Sequence, residues 1–414
     1  MTVNAAALAT SALSPADRAF RRALLTRLDA LDGGLVIEDA DGRNVLGHAA
    51  APVRIAVNHP RFYRRTIALG SVGAAESYVD GDWDCDDLVG LVRLLVVNRA
   101  LTERLEGGLA RIGAIAARLV HRLLRDNSES GSRTNIAAHY DLGNELFAAF
   151  LDSRMQYSSA WFEAGADLER ASLAKLDRVV AKLNLTSGDH LLEIGGGWGG
   201  LAIHAARVSG CRVTTTTISQ EQHRYAVAQV AEAGLGDRVH VLCEDYRRLG
   251  GRYSKIVSIE MVEAVGANWL DRYFQTIGRL LDDDGIALLQ AITIDERHYQ
   301  SALRSVDFIK RHVFPGSFIP AASVLIGSAA RSGLATVNLE DLGFDYALTL
   351  QAWRERFEAA YPRLEALGYD ERFRRLWRFY LAYCEGGFRE RALSDVQILL
   401  AKPGYRGRPH RASA

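Results

Sequence analysis

The run Leu191-Leu192-Glu193-Ile194-Gly195-Gly196-Gly197-Trp198-Gly199-Gly200 decides how the rest of this chain is read. His190 to Ile194 has the pattern of a short, mostly buried strand. The glycines after it force a tight turn, and the apolar run Leu201 to Val208 starts a helix. A strand, a glycine turn and a helix N-terminus let backbone N–H groups approach a bound small molecule closely. Gly195, Gly197 and Gly200 also satisfy G-x-G-x-x-G, the spacing of a dinucleotide site. That reading needs an acid roughly 20 residues on, at the end of the second strand. Here the second strand, Arg212 to Ile218, ends in threonines, and the acid lies inside the motif as Glu193. The plainer alternative is a glycine turn required only for close strand–helix packing.

Working outward, helix and strand patterns alternate. Helix Leu168 to Leu183 precedes the glycine strand. After it come the strand near Val213, helix Gln220 to Ala233 and strands Val239 to Leu242 and Lys255 to Ile259. Helix Trp269 to Leu281 and strand Ile286 to Leu289 complete the series. Such alternation implies an α/β fold with a mostly parallel sheet covered on both faces. Ligands of these sheets bind beyond the carboxyl ends of the strands. That rule selects Glu193 to Gly199, Thr217 to Gln222, Cys243 to Tyr246, Glu260 to Gly266 and Gln290 to Thr293.

The whole chain bounds the possibilities. Its 414 residues suit two or three domains. Lys plus Arg and Asp plus Glu number 50 each, so no net field recruits nucleic acid or an anionic membrane. The four cysteines are scattered, without CxxC or zinc spacing, which fits reduced thiols in a cytoplasmic protein and no metal site. The N-terminus lacks the basic and apolar regions of a signal peptide, and no stretch is long and apolar enough to span a bilayer.

Residues 1–125 form a separate block, expected to be a smaller α+β domain. It holds a helix from Ser14 to Leu31 and strand-like pieces at Gly34 to Ile37 and Val53 to Val57. Gly70 to Gly73 reads as a turn inside Phe62 to Trp83, and a helical pattern runs from Leu88 to Arg125. Within that pattern Arg104, Arg111, Arg118 and Arg125 flank an apolar stripe. Such a flank is either a solvated face or a surface for anionic lipid head groups. The polar stretch 126–134 is a linker, and 135–414 is the second domain.

Several motifs now point the same way. The acid-x-Gly-x-Gly-x-Gly loop resembles that of S-adenosylmethionine (SAM) methyltransferases. Tyr140-Asp141-Leu142-Gly143-Asn144 and Tyr157-Ser158-Ser159-Ala160-Trp161-Phe162 resemble the YDLGN and YSxAxF signatures of the cyclopropane-fatty-acid synthase family. Thr217 to Gln222, the M-x-E-x-x-G run from Met261 to Gly266, Asp307 to Pro315 and Phe379 to Arg391 resemble its further elements. The match runs from about Asn135 to Lys402, and the first block resembles the N-terminal domain of the longer members.

The resemblance implies a Rossmann-like class I SAM methyltransferase sheet with helical insertions after Gln290. It further implies transfer of a SAM methyl carbon to the cis double bond of an acyl chain in a membrane phospholipid. Loss of a proton from the added carbon closes a cyclopropane ring. For SAM, the strand ends and motifs offer Tyr157, Ser158, Glu193, Gly195, Gly197, Gly199, Thr217, Gln222, Asp245 and Tyr246. In this family a bound bicarbonate serves as base, and its pocket maps onto Ser159, Glu263, Gln290, the backbone N–H of Ile292, and Tyr346. Cys384 resembles a cysteine placed near that pocket. Ser159 stands where cysteine is usual and Gln290 where histidine is usual, and glutamine cannot titrate.

Implied partners are a phospholipid surface, approached peripherally from the cytoplasmic side of the inner membrane, and a second copy in a homodimer. A hydride shift before proton loss would instead give a methylene-branched chain. Two other classes stay open: a lipid-binding homologue without turnover, and a methyltransferase acting on oxygen or nitrogen of a small molecule. The aromatic surround of Tyr140, Phe147, Tyr157, Trp161 and Phe162 suits a hydrocarbon chain better than the latter.

Overall fold

The computed structural model describes residues 13–101, 131 and 142–407. The arginine-flanked stripe, the linker apart from Gly131, and the Tyr140-Asp141 part of the first signature lie outside the described residues.

The chain divides into two compact units. One holds the described residues up to Leu101 together with 304–313 and 353–392. The other holds the described residues from Gly131 to Leu303, with 314–352 and 393–407. The first unit is therefore not built from the N-terminal block alone, since two later segments of the chain complete it.

In the first unit, strands β1 (Gly34–Asp39), β2 (Gly42–Gly47), β3 (Val53–Val57) and β4 (Trp83–Cys85) form a sheet in the order β2-β1-β3-β4. The helix Pro15–Leu28 opens on a capping box. Ser14 Oγ accepts from the Asp17 N–H, and the Asp17 carboxylate accepts from the Ser14 N–H. The expected turn at Gly70 is instead a kink in one helix, Arg61–Val79, with Gly70 alone leaving helical angles. Arg375, on the helix Glu371–Arg389, donates to the carbonyls of Tyr78 and Trp83 and to the Asp84 carboxylate, fixing this late segment on the sheet.

In the second unit, β5 (His190–Ile194), β6 (Arg212–Thr217), β7 (Val239–Cys243), β8 (Tyr253–Ile259), β9 (Leu281–Ile294), β10 (Ala335–Asp341) and β11 (Leu393–Ala401) form one sheet ordered β10-β11-β9-β8-β5-β6-β7. From β7 to β9 neighbouring strands are parallel, while β11 and β10 run antiparallel. The chain order reverses at β5, which pairs with β6 on one side and β8 on the other. This is the switch point where such sheets open a crevice.

Alternate side chains serve opposite faces. Leu191 packs with Leu176, Val179, Leu201 and Ala205 from the helices Leu168–Leu183 and Gly200–Ser209. Leu192 and Ile194 pack with Phe274, Ile277 and Leu325 from Leu270–Leu280 and Ala322–Arg331. Both faces are apolar, so the strands read as near-continuous hydrophobic runs. No helix among the described residues is long and apolar enough to cross a membrane.

Candidate active site

The glycine loop is crowded against the sheet and open on one side. Gly195, Gly197 and Gly199 take φ of 88°, 53° and 88°, the region that favours glycine. The N–H groups of Gly195 and Gly196 donate to the Thr216 carbonyl at 3.0 and 2.9 Å, tying the turn to β6. A Cβ on Gly196 would collide with the Thr215 hydroxyl, and one on Gly195 would come within 2.8 Å of Met261 Cγ. A Cβ on Gly197 would meet nothing within 4 Å. The loop thus packs against the segment after β8 and leaves a cradle at Gly197.

Glu193 braces the loop from within. Its carboxylate accepts from the Thr215 hydroxyl at 2.6 Å. Burial pushes it up to about 7, against the opposing pull of Thr215 and the Lys175 ammonium. At the next strand end the Thr217 hydroxyl donates to Gln222 Oε1 at 2.8 Å. Asp245, after β7, is buried and grips Arg247 through two guanidinium nitrogens at 2.8 and 2.7 Å. The Tyr246 ring turns into the core against Tyr273, its hydroxyl without a partner. Its ring packs in the core between the sheet and the helix Leu270–Leu280.

The two aromatic signatures meet this loop. Trp198 donates its indole N–H to Asn144 Oδ1 at 2.8 Å. Its ring lies 5.0 Å from Phe147, which packs edge-on against Tyr157 at 5.2 Å. Ser158 is buried and accepts from Lys175 Nζ at 2.9 Å. Segment 159–162 is pinned in turn, with the Ala160 N–H on the Thr349 hydroxyl at 3.0 Å and the Phe162 N–H on Asp345 at 2.7 Å.

Beside the glycine loop lies a half-buried nest of carboxylates. Glu260 directly follows β8 and holds φ at 47°. Its N–H donates to the Gln290 carbonyl at 2.8 Å, which keeps it in line with β9. Its carboxylate accepts three hydrogen bonds: from the Ser159 N–H at 2.7 Å, Gln290 Nε2 at 2.9 Å and the Tyr346 hydroxyl at 2.6 Å. The Ile292 N–H donates to Glu263 Oε1 at 2.6 Å, while Glu263 Oε2 is buried without a partner. Gln290 Nε2 also donates to Asp395 Oδ2 at 2.8 Å, and Gln290 Oε1 accepts from Gln397 at 3.0 Å.

Burial raises all three acids. Glu263 is pushed up to about 8 by burial and then by the charge of Glu260. Asp395 lies well above the carboxylate range for the same two reasons and the charge of Glu263. Glu260 is raised by burial against the pull of Tyr346, the Ser159 N–H, Lys175 and Gln290. Lys175 is fully buried on the helix Leu168–Leu183, and burial lowers its ammonium despite the surrounding acids.

Of the expected pocket groups, Ser159, Gln290 and Tyr346 converge on Glu260, Ser159 through its backbone only since its hydroxyl donates to the Ala160 carbonyl, and Ile292 meets Glu263. Cys384 belongs to the other unit, on the helix Glu371–Arg389, where burial pushes its thiol up. Glu260, Lys175 and Asp395 were not foreseen as site residues. Glu260 alone carried a signal, being the first residue past a strand end at the switch point.

These residues fit SAM. The Gly197 cradle admits a ligand against bare backbone, and four acids, the buried Glu193 and Asp395 and the half-buried Glu260 and Glu263, suit a neighbouring cation. They do not fit bicarbonate. One hydrogen each from Ser159 N, Tyr346 Oη and Ile292 N, and both of Gln290 Nε2, already go to carboxylates of the chain.

Known proteins agree with this geometry. Residues 127–398 match the family model of mycolic acid cyclopropane synthetase. The chain is 38% identical over 350 residues to a tuberculostearic acid methyltransferase of Mycobacterium tuberculosis, covering 82% of this chain and 81% of that one. It is 36% identical to the cyclopropane-fatty-acyl-phospholipid synthase of Escherichia coli, covering 86% and 89%. A mycolic acid cyclopropane synthase solved with SAH and CTAB superposes with a TM-score of 0.61 at 29% identity, covering 65% of this chain and 98% of that one. With its seven-stranded sheet and its glycine loop at the switch point, this chain belongs to the mycolic acid cyclopropane synthetase family and is a SAM-dependent methyltransferase of the class I fold.

Proposed function

We propose that this enzyme adds a SAM-derived carbon to the cis double bond of an unsaturated acyl chain in a membrane phospholipid and closes a cyclopropane ring. One observation carries the reading: a half-buried nest of carboxylates, Glu260 with Glu263, packed beside an open glycine loop. SAM supplies an electrophilic methyl group. An alkene is a weak nucleophile, so the wall must hold it close and exclude water. Bond formation at one alkene carbon leaves a cation on its neighbour. Carboxyl groups held in the wall, which ionise more readily beside a positive charge, stabilise that cation. Gly195, Gly197 and Gly199 shape the cofactor cradle, Glu193 and Asp245 bound it, and Tyr157 with Phe147 supplies apolar wall.

The lipid is reached peripherally from the cytoplasmic side, with the first unit serving lipid approach or contact with a second copy. A second reading keeps the same site but ends in a branched rather than a cyclic chain. It is favoured by relatives named for methyl transfer to fatty acids, among them a probable fatty acid methyltransferase of Pseudomonas putida at 35% identity.

Purified protein with dioleoyl phospholipid vesicles and methyl-labelled SAM provides the test. Label in the acyl chain is expected. Label retained in SAM, or passed to a water-soluble acceptor, would contradict the proposal and favour a protein without lipid turnover or a small-molecule methyltransferase.

A further inference from the structure

We infer that Glu260 is the proton acceptor of the reaction, a carboxylate built into the chain where the family resemblance places a bicarbonate ion. The inference rests on the function proposed above.

Three features of Glu260 carry it. First, its carboxylate takes the donors that an exchangeable anion would need, the Ser159 N–H, the Gln290 amide and the Tyr346 hydroxyl, at 2.6 to 2.9 Å. Second, those bonds leave capacity on one oxygen. Oε1 accepts both Ser159 and Gln290, whereas Oε2 accepts Tyr346 only and keeps one lone pair for a proton. Third, the backbone is held for this purpose. A φ of 47° is costly for any residue but glycine, asparagine or aspartate, and here it turns the side chain back beneath the sheet end beside Gln290.

Gln290 fits the same arrangement. A titrating imidazole at this position would compete for the proton. A glutamine locked by Gln397 and Asp395 can only donate to Glu260 and hold it still. The step balances without any other reactant. The C–H bond of the added carbon breaks, and its electron pair forms the second ring bond to the cationic carbon. The proton passes to Glu260 Oε2, leaving a neutral acid that returns it to water after product leaves. Burial, which raises the acid above its ordinary range, makes its anion a stronger base.

The test measures methyl transfer to dioleoyl phospholipid vesicles in CO2-free buffer, with and without added sodium bicarbonate. Wild type should change by less than about twofold between the two conditions, and Glu260→Gln should lose about 10²- to 10⁴-fold in either, the usual worth of a general base. SAM affinity by calorimetry should stay within about threefold in that variant. Glu260→Gly suits the positive φ and frees the three donors, so its activity should be low without bicarbonate and rise at least about tenfold with it. Stimulation of wild type by bicarbonate, or wild-type turnover in Glu260→Gln, would overturn the assignment. If wild type transfers no label to lipid in either buffer, it is the function above that fails.

Discussion

Glu263 and Glu260 share a half-buried site but do different work. Glu260 is satisfied by three donors, while Glu263 has one, the Ile292 N–H, and one bare oxygen. With Glu263 at about 8 against an ordinary 4.5, the folded protein binds an extra proton between those values. Stability from this group is therefore complete below pH 4.5 and is lost as pH rises through 8. Glu263→Gln should remove that decline. Relative to wild type, the apparent melting temperature of the SAM-free variant should rise from pH 5 to pH 8, an effect on the order of a few kcal/mol. A constant difference across that range would contradict the assignment. Lipid alkylation should be abolished in the same variant while SAM affinity is kept, and unchanged turnover would remove Glu263 from the chemistry. At this scale the sequence was readable where a motif named the residue. Ile292 meets Glu263 while Tyr346 goes to Glu260 instead, and Asp395 and Gln397 lie more than 100 residues beyond their partner Gln290 and join it only through strand register.

The glycine loop and the helix before it set the cofactor side. Gly197→Val should abolish SAM binding by calorimetry, because its Cβ enters the open cradle and its φ of 53° disfavours a branched side chain. Gly234 separates the two causes. It has φ of 66° and open space around a Cβ, so Gly234→Ala should cost about 1 kcal/mol of stability and leave SAM affinity unchanged. Equal SAM loss in both would mean that strain alone decides the effect. The helix Leu168–Leu183 places Lys175 against Gln156 and Ser158, and Lys182 against Gln397 and Glu340. Lys175→Met removes a buried cation from among acids, so the denaturant midpoint should fall by about 3–5 kcal/mol equivalent, more at pH 8 than at pH 5. Equal midpoints would show that the acids do not depend on it.

Elements were legible where periodicity was strong. Helix Leu168–Leu183 and strand Val53–Val57 lie where the pattern puts them. β10 was missed because its apolar residues Val337 and Leu339 are exposed on the sheet edge, inverting the usual signal. β9 begins earlier than its apolar run because Asp282 to Asp284 carries no alternation yet extends the strand.

At the scale of the molecule, the sequence suggested a break after residue 125, but contacts that close a unit need not follow chain order. Residues 353–392 return to the first unit, and no local pattern announces it, since an apolar helix face does not name its partner. The sheet behaved otherwise. Its order follows from parallel crossovers, and the reversal at β5 places the glycine loop against the Glu260 and Glu263 segment. The central claim is that this crevice joins a SAM carbon to both carbons of a lipid double bond. Carbon-13 NMR of dioleoyl phospholipid after incubation with the enzyme and methyl-carbon-13 SAM tests it most directly. The labelled carbon should appear as a ring methylene bonded to both former alkene carbons. Label on oxygen or nitrogen, or none in the acyl chain, would contradict the account.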